Sequence, residues 1–223
     1  MLVTEVNESL PGGSSLLRNE PVQARSNARL TGLLDAAAAI IDEIGFERLT
    51  TAMVAERAGA SIGTVYRYFP DRIAVVEALS IRGSQRLVDR IAATLAEAAE
   101  TAGSQEQPGR VTVPVAVQHV VDALVEMYRT EPGFRAIRFT DSESTTAGDG
   151  DERPTLAAQL AELLCARIGV ERSADADFAI EVATETAGSL IARAFATDIE
   201  RDGRFVDEAR TLVTAYLEGA LPA

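Results

Sequence analysis

The apolar residues Leu30, Leu33, Leu34, Ala37, Ile41 and Ile44 recur at intervals of three or four between residues 26 and 44. That period puts them on one face of a helix, and Gly45 supplies the stop. Phe46, one residue beyond, is placed to fold back on the helix end, as the residue after a glycine cap commonly does. A short second helix starts at Thr50 or Thr51, both capping residues, and ends at Gly59. Ser61 caps a third, which runs to about Phe69. Pro70-Asp71 then opens a long helix over 72–100, with Asp71 near its positive end.

Further along, "TAGSQEQPGRVT" (101–112) reads as a loop, and Thr112-Val113-Pro114 as the start of a helix that ends near Glu131, before Pro132. A shorter helix is expected over 133–139. The stretch "TDSESTTAGDGDER" (140–153) is polar and contains glycine, so a mobile loop is expected. Pro154 opens and Gly169 closes a further helix. The last two cover 174–200 and 204–219, separated by Asp202-Gly203. Residues 1–24, with "LPGGSS" inside, have no periodicity and read as a flexible arm. No strand-length alternation and no internal repeat stand out, so the fold class is all-α.

The two short helices around Gly59 pass a more demanding test. With Thr51 as the first position of a helix–turn–helix unit, the fifth, where the helices touch, is the small Ala55. The ninth, which takes positive φ in the turn, is Gly59. The apolar positions are Val54, Ala58, Ala60, Val65 and Tyr68, the last only in part because its hydroxyl needs a polar partner. Such a unit presents helix 62–69 to the major groove of DNA. Ser61, Ile62, Gly63 and Thr64 then face outward, with Gly63 permitting close approach. Tyr66 and Arg67 lie at the flank, where phosphates run. Thr51 and Arg72 sit at two further helix N-termini, which favour anions.

Composition adjusts this picture in three ways. The 223-residue chain carries a net charge of −13, but 1–90 hold 10 Arg against 11 acids, while 91–223 hold 11 Arg against 23. The acidity belongs to the C-terminal part and does not speak against DNA binding by the N-terminal part. All 21 cationic side chains are Arg, which reflects coding bias rather than function. One Cys (Cys165) and one His (His119) exclude an intrachain disulfide and a multi-His or multi-Cys metal site. They leave no nucleophile–base pair, and no glycine-rich phosphate loop follows a strand, so an enzyme is not expected and no cofactor is implied. No apolar run is long enough for a membrane span, and the N-terminus lacks a signal-peptide pattern; a cytoplasmic location is expected.

The stretch "LLDAAAAIIDEIGFERLTTAMVAERAGASIGTVYRYFPDRIAVVEAL" (33–79) resembles the N-terminal domain of TetR-type transcriptional regulators. The resemblance rests on Gly-Phe after the first helix, Leu-Thr-Thr opening the second, Ala-Gly-Ala-Ser-Ile-Gly-Thr across the turn, and the closing Tyr-Arg-Tyr-Phe-Pro-Asp. It implies a homodimeric, all-helical, ligand-responsive repressor (less often an activator) that binds a palindromic operator. The division expected is a flexible arm (1–24), a helix–turn–helix DNA-binding domain (25–72) and a helical effector-binding and dimerisation domain (73–223). By position, Thr51, Ser61, Thr64, Tyr66 and Tyr68 correspond to common DNA-contact sites in the family, and Arg72 replaces its usual Lys. Arg18, Arg25 and Arg29 are candidates to reach the DNA backbone or minor groove.

Beyond residue 79 the resemblance implies architecture alone. The last two helices are expected to pair across a dimer axis, through Phe178, Val182, Ser189, Ala192 and Ala196 on one and Phe205, Ala209, Leu212, Val213 and Tyr216 on the other. Candidates to line a ligand pocket are Met127, Tyr128, Phe134, Phe139 and Phe178, with His119 and Arg138 as polar handles. "EPGFRAIRF" (131–139) is a candidate hinge between the domains. The acidity of the C-terminal part favours an apolar or cationic effector. The alternative is a DNA-binding regulator without a small-molecule effector, controlled by a protein partner.

Overall fold

The computed structural model describes residues 13–102, 109–136, 154–196 and 203–222, with side chains in the first helix from Arg25 onward. Eight α-helices occur among them: α1 Gly13–Ile44, α2 Thr51–Arg57, α3 Ile62–Tyr68, α4 Arg72–Ala102, α5 Val113–Thr130, α6 Leu156–Ile168, α7 Ala174–Phe195 and α8 Gly203–Ala220. Single 3-10 turns follow α1 (Phe46–Arg48) and α5 (Phe134–Ala136). The all-α expectation holds. The expected loop over 140–153, the end of the short helix over 137–139 and the close of the seventh helix over 197–200 lie outside the described residues.

Most boundaries follow from local chemistry. Thr50 is the cap of α2, its hydroxyl accepting from the Met53 N–H at 3.2 Å, and Asp71 accepts from the Ala74 N–H at 2.9 Å to start α4. Thr155 caps α6 instead of Pro154, and Gly169 closes it at φ 83°. The exception is α1, whose helical backbone begins at Gly13 rather than near Ser26. Residues 25–29 are exposed, so they give apolar periodicity no buried stripe to detect. Extending an existing helix also costs far less than starting one.

Two hydrophobic cores result. The first gathers Leu33, Leu34, Ala37, Ile41, Leu49, Val54, Val65 and Phe69, and draws in Val75 and Leu79 from α4. The second is built on Leu87, Ile91, Leu95 and Ala99 of the same helix, packed with α5, α6, α7 and α8. Each fully buried Leu or Ile contributes about 1.5–3 kcal/mol. α4 therefore belongs to both cores, and charged pairs gather where it passes between them. Arg82 of α4 reaches Asp35 of α1 at 2.6 Å, and Arg86 pairs with Glu131 at the end of α5.

Candidate functional site

The turn between α2 and α3 is closed by two nested backbone bonds. Ala60 N–H donates to Ala55 C=O at 2.9 Å and Gly59 N–H to Glu56 C=O at 3.2 Å, with Gly59 at φ 57°. This glycine-terminated helix end sets the angle of α3. Val65 at 0 % exposure anchors α3 from below, with Val54 and Ala55 buried on α2. Ser61 caps α3, accepting from the Thr64 N–H at 3.1 Å, and the two hydroxyls lie 2.9 Å apart.

What remains outward on α3 is a mixed polar and apolar surface. Ile62 and Tyr66 are 42 % and 54 % exposed; Ser61, Gly63 and Arg67 are also exposed, and Thr64 is half-buried. A Cβ on Gly63 would meet only the Ser61 hydroxyl, at 4.0 Å, so internal packing does not demand glycine there. Tyr68 is half-buried, and its hydroxyl lies 3.0 Å from Ser26 Oγ on α1, which supplies the polar partner it needs. Arg72 is exposed but held: it donates to the Glu47 carbonyl at 3.0 Å and stacks 5.3 Å from the Phe46 ring centroid. Thr51 is half-buried at the start of α2, and Arg25 and Arg29 are exposed on α1. The side chain of Arg18 lies outside the described residues.

Arg57 is the contrasting case. It forms a two-pronged pair with Glu43, both contacts 2.6 Å, and those hydrogen bonds hold the Glu43 carboxyl below its ordinary range and push Arg57 up. Its charge is spent inside the domain. Among the described residues no carboxylate pairs with Arg25, Arg29 or Arg67.

In the second core, a cavity of about 470 Å³ opens among α4, α5, α6, α7 and α8. Among the described residues expected to line it, only Tyr128 borders it. Met127 and Phe134, both 1 % exposed, are packed in the core instead; His119 is half-buried away from the cavity; Phe178 is 62 % exposed on the outer side of α7. Arg138 and Phe139 lie outside the described residues. Arg135 and Phe195, both unforeseen, border the cavity with Tyr128. Tyr128 stacks on Phe195 at 5.1 Å and meets Phe134 edge-on at 5.2 Å, while Arg135 Nε donates to the Tyr128 carbonyl at 2.7 Å. Arg135 falls within the "EPGFRAIRF" stretch, and its aromatic neighbours were the available signal.

That stretch touches the first core. The Gly133 N–H donates to Asp42 Oδ1 of α1 at 2.9 Å. Gly133 takes φ 78°, and a Cβ there would come within 3.2 Å of Ala38 Cα, so α1 and this turn meet backbone to backbone.

The outer face of α7 and α8 shows Phe178, Val182, Ser189, Ala192, Ala196, Leu212 and Tyr216 at least partly exposed. Val213, at 5 % exposure, and Ala209, at 0 %, are in the core, because the apolar stripe of α8 is wide enough that its inner edge packs on α5 and α7. Cys165 is buried, and burial, then nearby Asp177, pushes its thiol up, which keeps it an inert neutral group. None of the described helices is long and apolar enough to cross a membrane.

Residues 33–79 match the model of bacterial regulatory proteins of the tetR family, and residues 111–221 that of the tetracyclin repressor-like C-terminal domain. A TetR-family transcriptional regulator from Streptomyces coelicolor is 35 % identical; the match covers 86 % of this chain and 99 % of that one, with a TM-score of 0.72. The chain belongs to the TetR family. It is a transcriptional regulator with a helix–turn–helix, and TetR-family members are DNA-binding proteins rather than enzymes. A TetR regulator from Rhodococcus sp. RHA1 shares the fold at 18 % identity, with a TM-score of 0.59, 86 % of this chain and 96 % of that one covered. Among curated relatives, the transcriptional repressor KstR of Rhodococcus jostii is 36 % identical over 58 residues, 26 % of this chain and 27 % of KstR. The nucleoid occlusion factor SlmA of Haemophilus ducreyi is 32 % identical over 120 residues, 51 % and 50 % of the two chains. The chain thus spans half or less of these curated relatives.

Proposed function

We propose that this TetR-family regulator is a dimeric repressor that binds a palindromic operator through α3 and is released by a small, largely apolar effector. The single observation that carries the DNA-reading surface is the outward set on α3, with Tyr66 more than half exposed on a helix whose angle is fixed from beneath. In this reading Ser61, Ile62, Gly63 and Thr64 enter the major groove, while Thr51, Tyr66, Arg67 and Arg72 meet phosphates. Tyr68 contributes by holding α3 to α1, and Arg25 and Arg29 extend the contact along the DNA backbone. The domain division is 25–72 for DNA and 73–223 for effector and dimer, with the first core reaching to Leu79.

Release is a population shift. A ligand between α5 and α7 displaces Tyr128 and Phe195, and the turn at Gly133 passes the change to Ala38 and Asp42 of α1. The cavity supports this reading over a regulator governed only by a protein partner. A dimer suits DNA reading because two copies of α3 about 34 Å apart address successive major grooves. Its interface in this reading is the exposed face of Phe178, Val182, Leu212 and Tyr216.

The test is binding to the DNA upstream of the gene at two salt concentrations, with wild type and Tyr66→Ala. Affinity falls steeply with salt for the wild type, because phosphate contacts release counterions. The variant loses about tenfold or more with an unchanged melting temperature; undiminished binding would overturn the assigned surface.

A further inference from the structure

We infer that the cavity takes a largely apolar ligand ending in a carboxylate, and that Arg135 receives that end. This deepens, and rests on, the effector reading above. Val117, Val121, Leu124, Leu160, Ile180 and Ala183 form walls without hydrogen-bonding side chains, so most of the ligand's surface is apolar. The charged groups of the lining are Arg135, Arg193 and Glu185, all on the 134–136 turn or α7.

Arg135 is fixed at two points. Its Nε donates to the Tyr128 carbonyl at 2.7 Å, and its guanidinium carbon lies 5.4 Å from the Phe195 ring centroid. Both anchors leave the terminal nitrogens unspent. Among the described residues no carboxylate pairs with it, whereas Arg57, Arg82, Arg86, Arg172 and Arg210 each have one. A guanidinium held in this way offers two parallel N–H donors, the geometry of a carboxylate. Arg193, stacked 5.9 Å from the Phe205 centroid, adds a second positive charge.

The net acidity of the C-terminal part favours a neutral or cationic ligand at long range. That field is screened beyond about 8 Å, so the groups within contact decide recognition. A cation seated beside Arg135 would meet like charge. A carboxylate there meets the guanidinium of Arg135, whereas a cation would find its one lining carboxylate at Glu185 of α7.

The test uses the full chain and three probes with the same alkyl tail: dodecanoate, dodecanol and dodecyltrimethylammonium. Calorimetry measures binding, and a labelled upstream duplex reports release. Dodecanoate is expected to bind about tenfold or more tightly than dodecanol, and the ammonium more weakly than either. Arg135→Gln is expected to bring dodecanoate down to the dodecanol affinity while leaving dodecanol unchanged, and Arg135→Lys to restore part of the difference. Equal affinities in the wild type, a preference that survives Arg135→Gln, or no binding by any probe would overturn the inference. Equal binding with release of DNA overturns the acid alone. Tight, Arg135-dependent binding of dodecanoate without release overturns the effector reading instead.

Discussion

Gly59 carries a constraint that no neighbouring side chain imposes. A Cβ at this position would have nothing within 4 Å, yet φ is 57°, so substitution costs conformation rather than space. Gly59→Ala should cost about 1–2 kcal/mol, the penalty of left-handed backbone for an L-residue. In a chain of this size that lowers the melting temperature by about 2–8 °C, readable by calorimetry. If the turn relaxes instead of paying that cost, α3 tilts and operator affinity falls with little thermal change, so both should be measured. A second residue-scale prediction concerns acid stability. The Glu43 carboxyl is held low chiefly by its hydrogen bonds to Arg57, so the pair stabilises the fold above the ordinary carboxylate value of 4.5 and is lost as pH falls through the depressed value. Glu43→Gln should therefore flatten the acid side of a melting-temperature profile and leave the neutral side nearly level, since the pair is solvent-exposed.

At the scale of elements, the contrast between what was legible and what was not has a physical cause. The α2–turn–α3 unit is specified by residues close in sequence: a cap at Ser61, a positive-φ turn at Gly59 and anchors at Val54 and Val65. Each leaves a residue-type signature, so the unit could be read in order. The cavity draws Leu87, Val121, Leu160, Ile180 and Val213 from five helices, and these are the same residue types as the core beside them. Spacing separates inward from outward, not packed from unpacked, which is why Met127 and Phe134 were indistinguishable from Tyr128. The junction turn was partly legible through Pro132-Gly133, but its partners Ala38 and Asp42 lie far away in sequence. Asp42→Ala removes the acceptor of the Gly133 N–H and should cost about 1–3 kcal/mol for the part-buried donor left behind. Its more telling effect is on coupling: ligand affinity should persist while ligand-driven release of DNA weakens. Unchanged release, followed by fluorescence anisotropy of a labelled duplex, would remove the turn from the route.

For the whole molecule, the proposed dimer face on α7 and α8 and the proposed effector cavity can be tested together. Phe178, Leu212 and Tyr216 are 62 %, 50 % and 38 % exposed, large apolar side chains that a partner surface would cover. Ser189, Ala192 and Ala196, on the same side of α7, also border the cavity. A partner seated on this face would therefore lie against the ligand's surroundings, so dimerisation and ligand affinity should be linked. Leu212→Glu places a charge on the face without touching the buried Val213 or Leu217 beside it. The variant should remain folded by circular dichroism and shift from dimer to monomer in analytical ultracentrifugation. DNA affinity should then drop far more than a single lost contact explains, because one recognition helix replaces two on a single rigid frame. Ligand affinity should change in the same variant even though Leu212 does not line the cavity; a monomer with unaltered ligand affinity would separate the two functions.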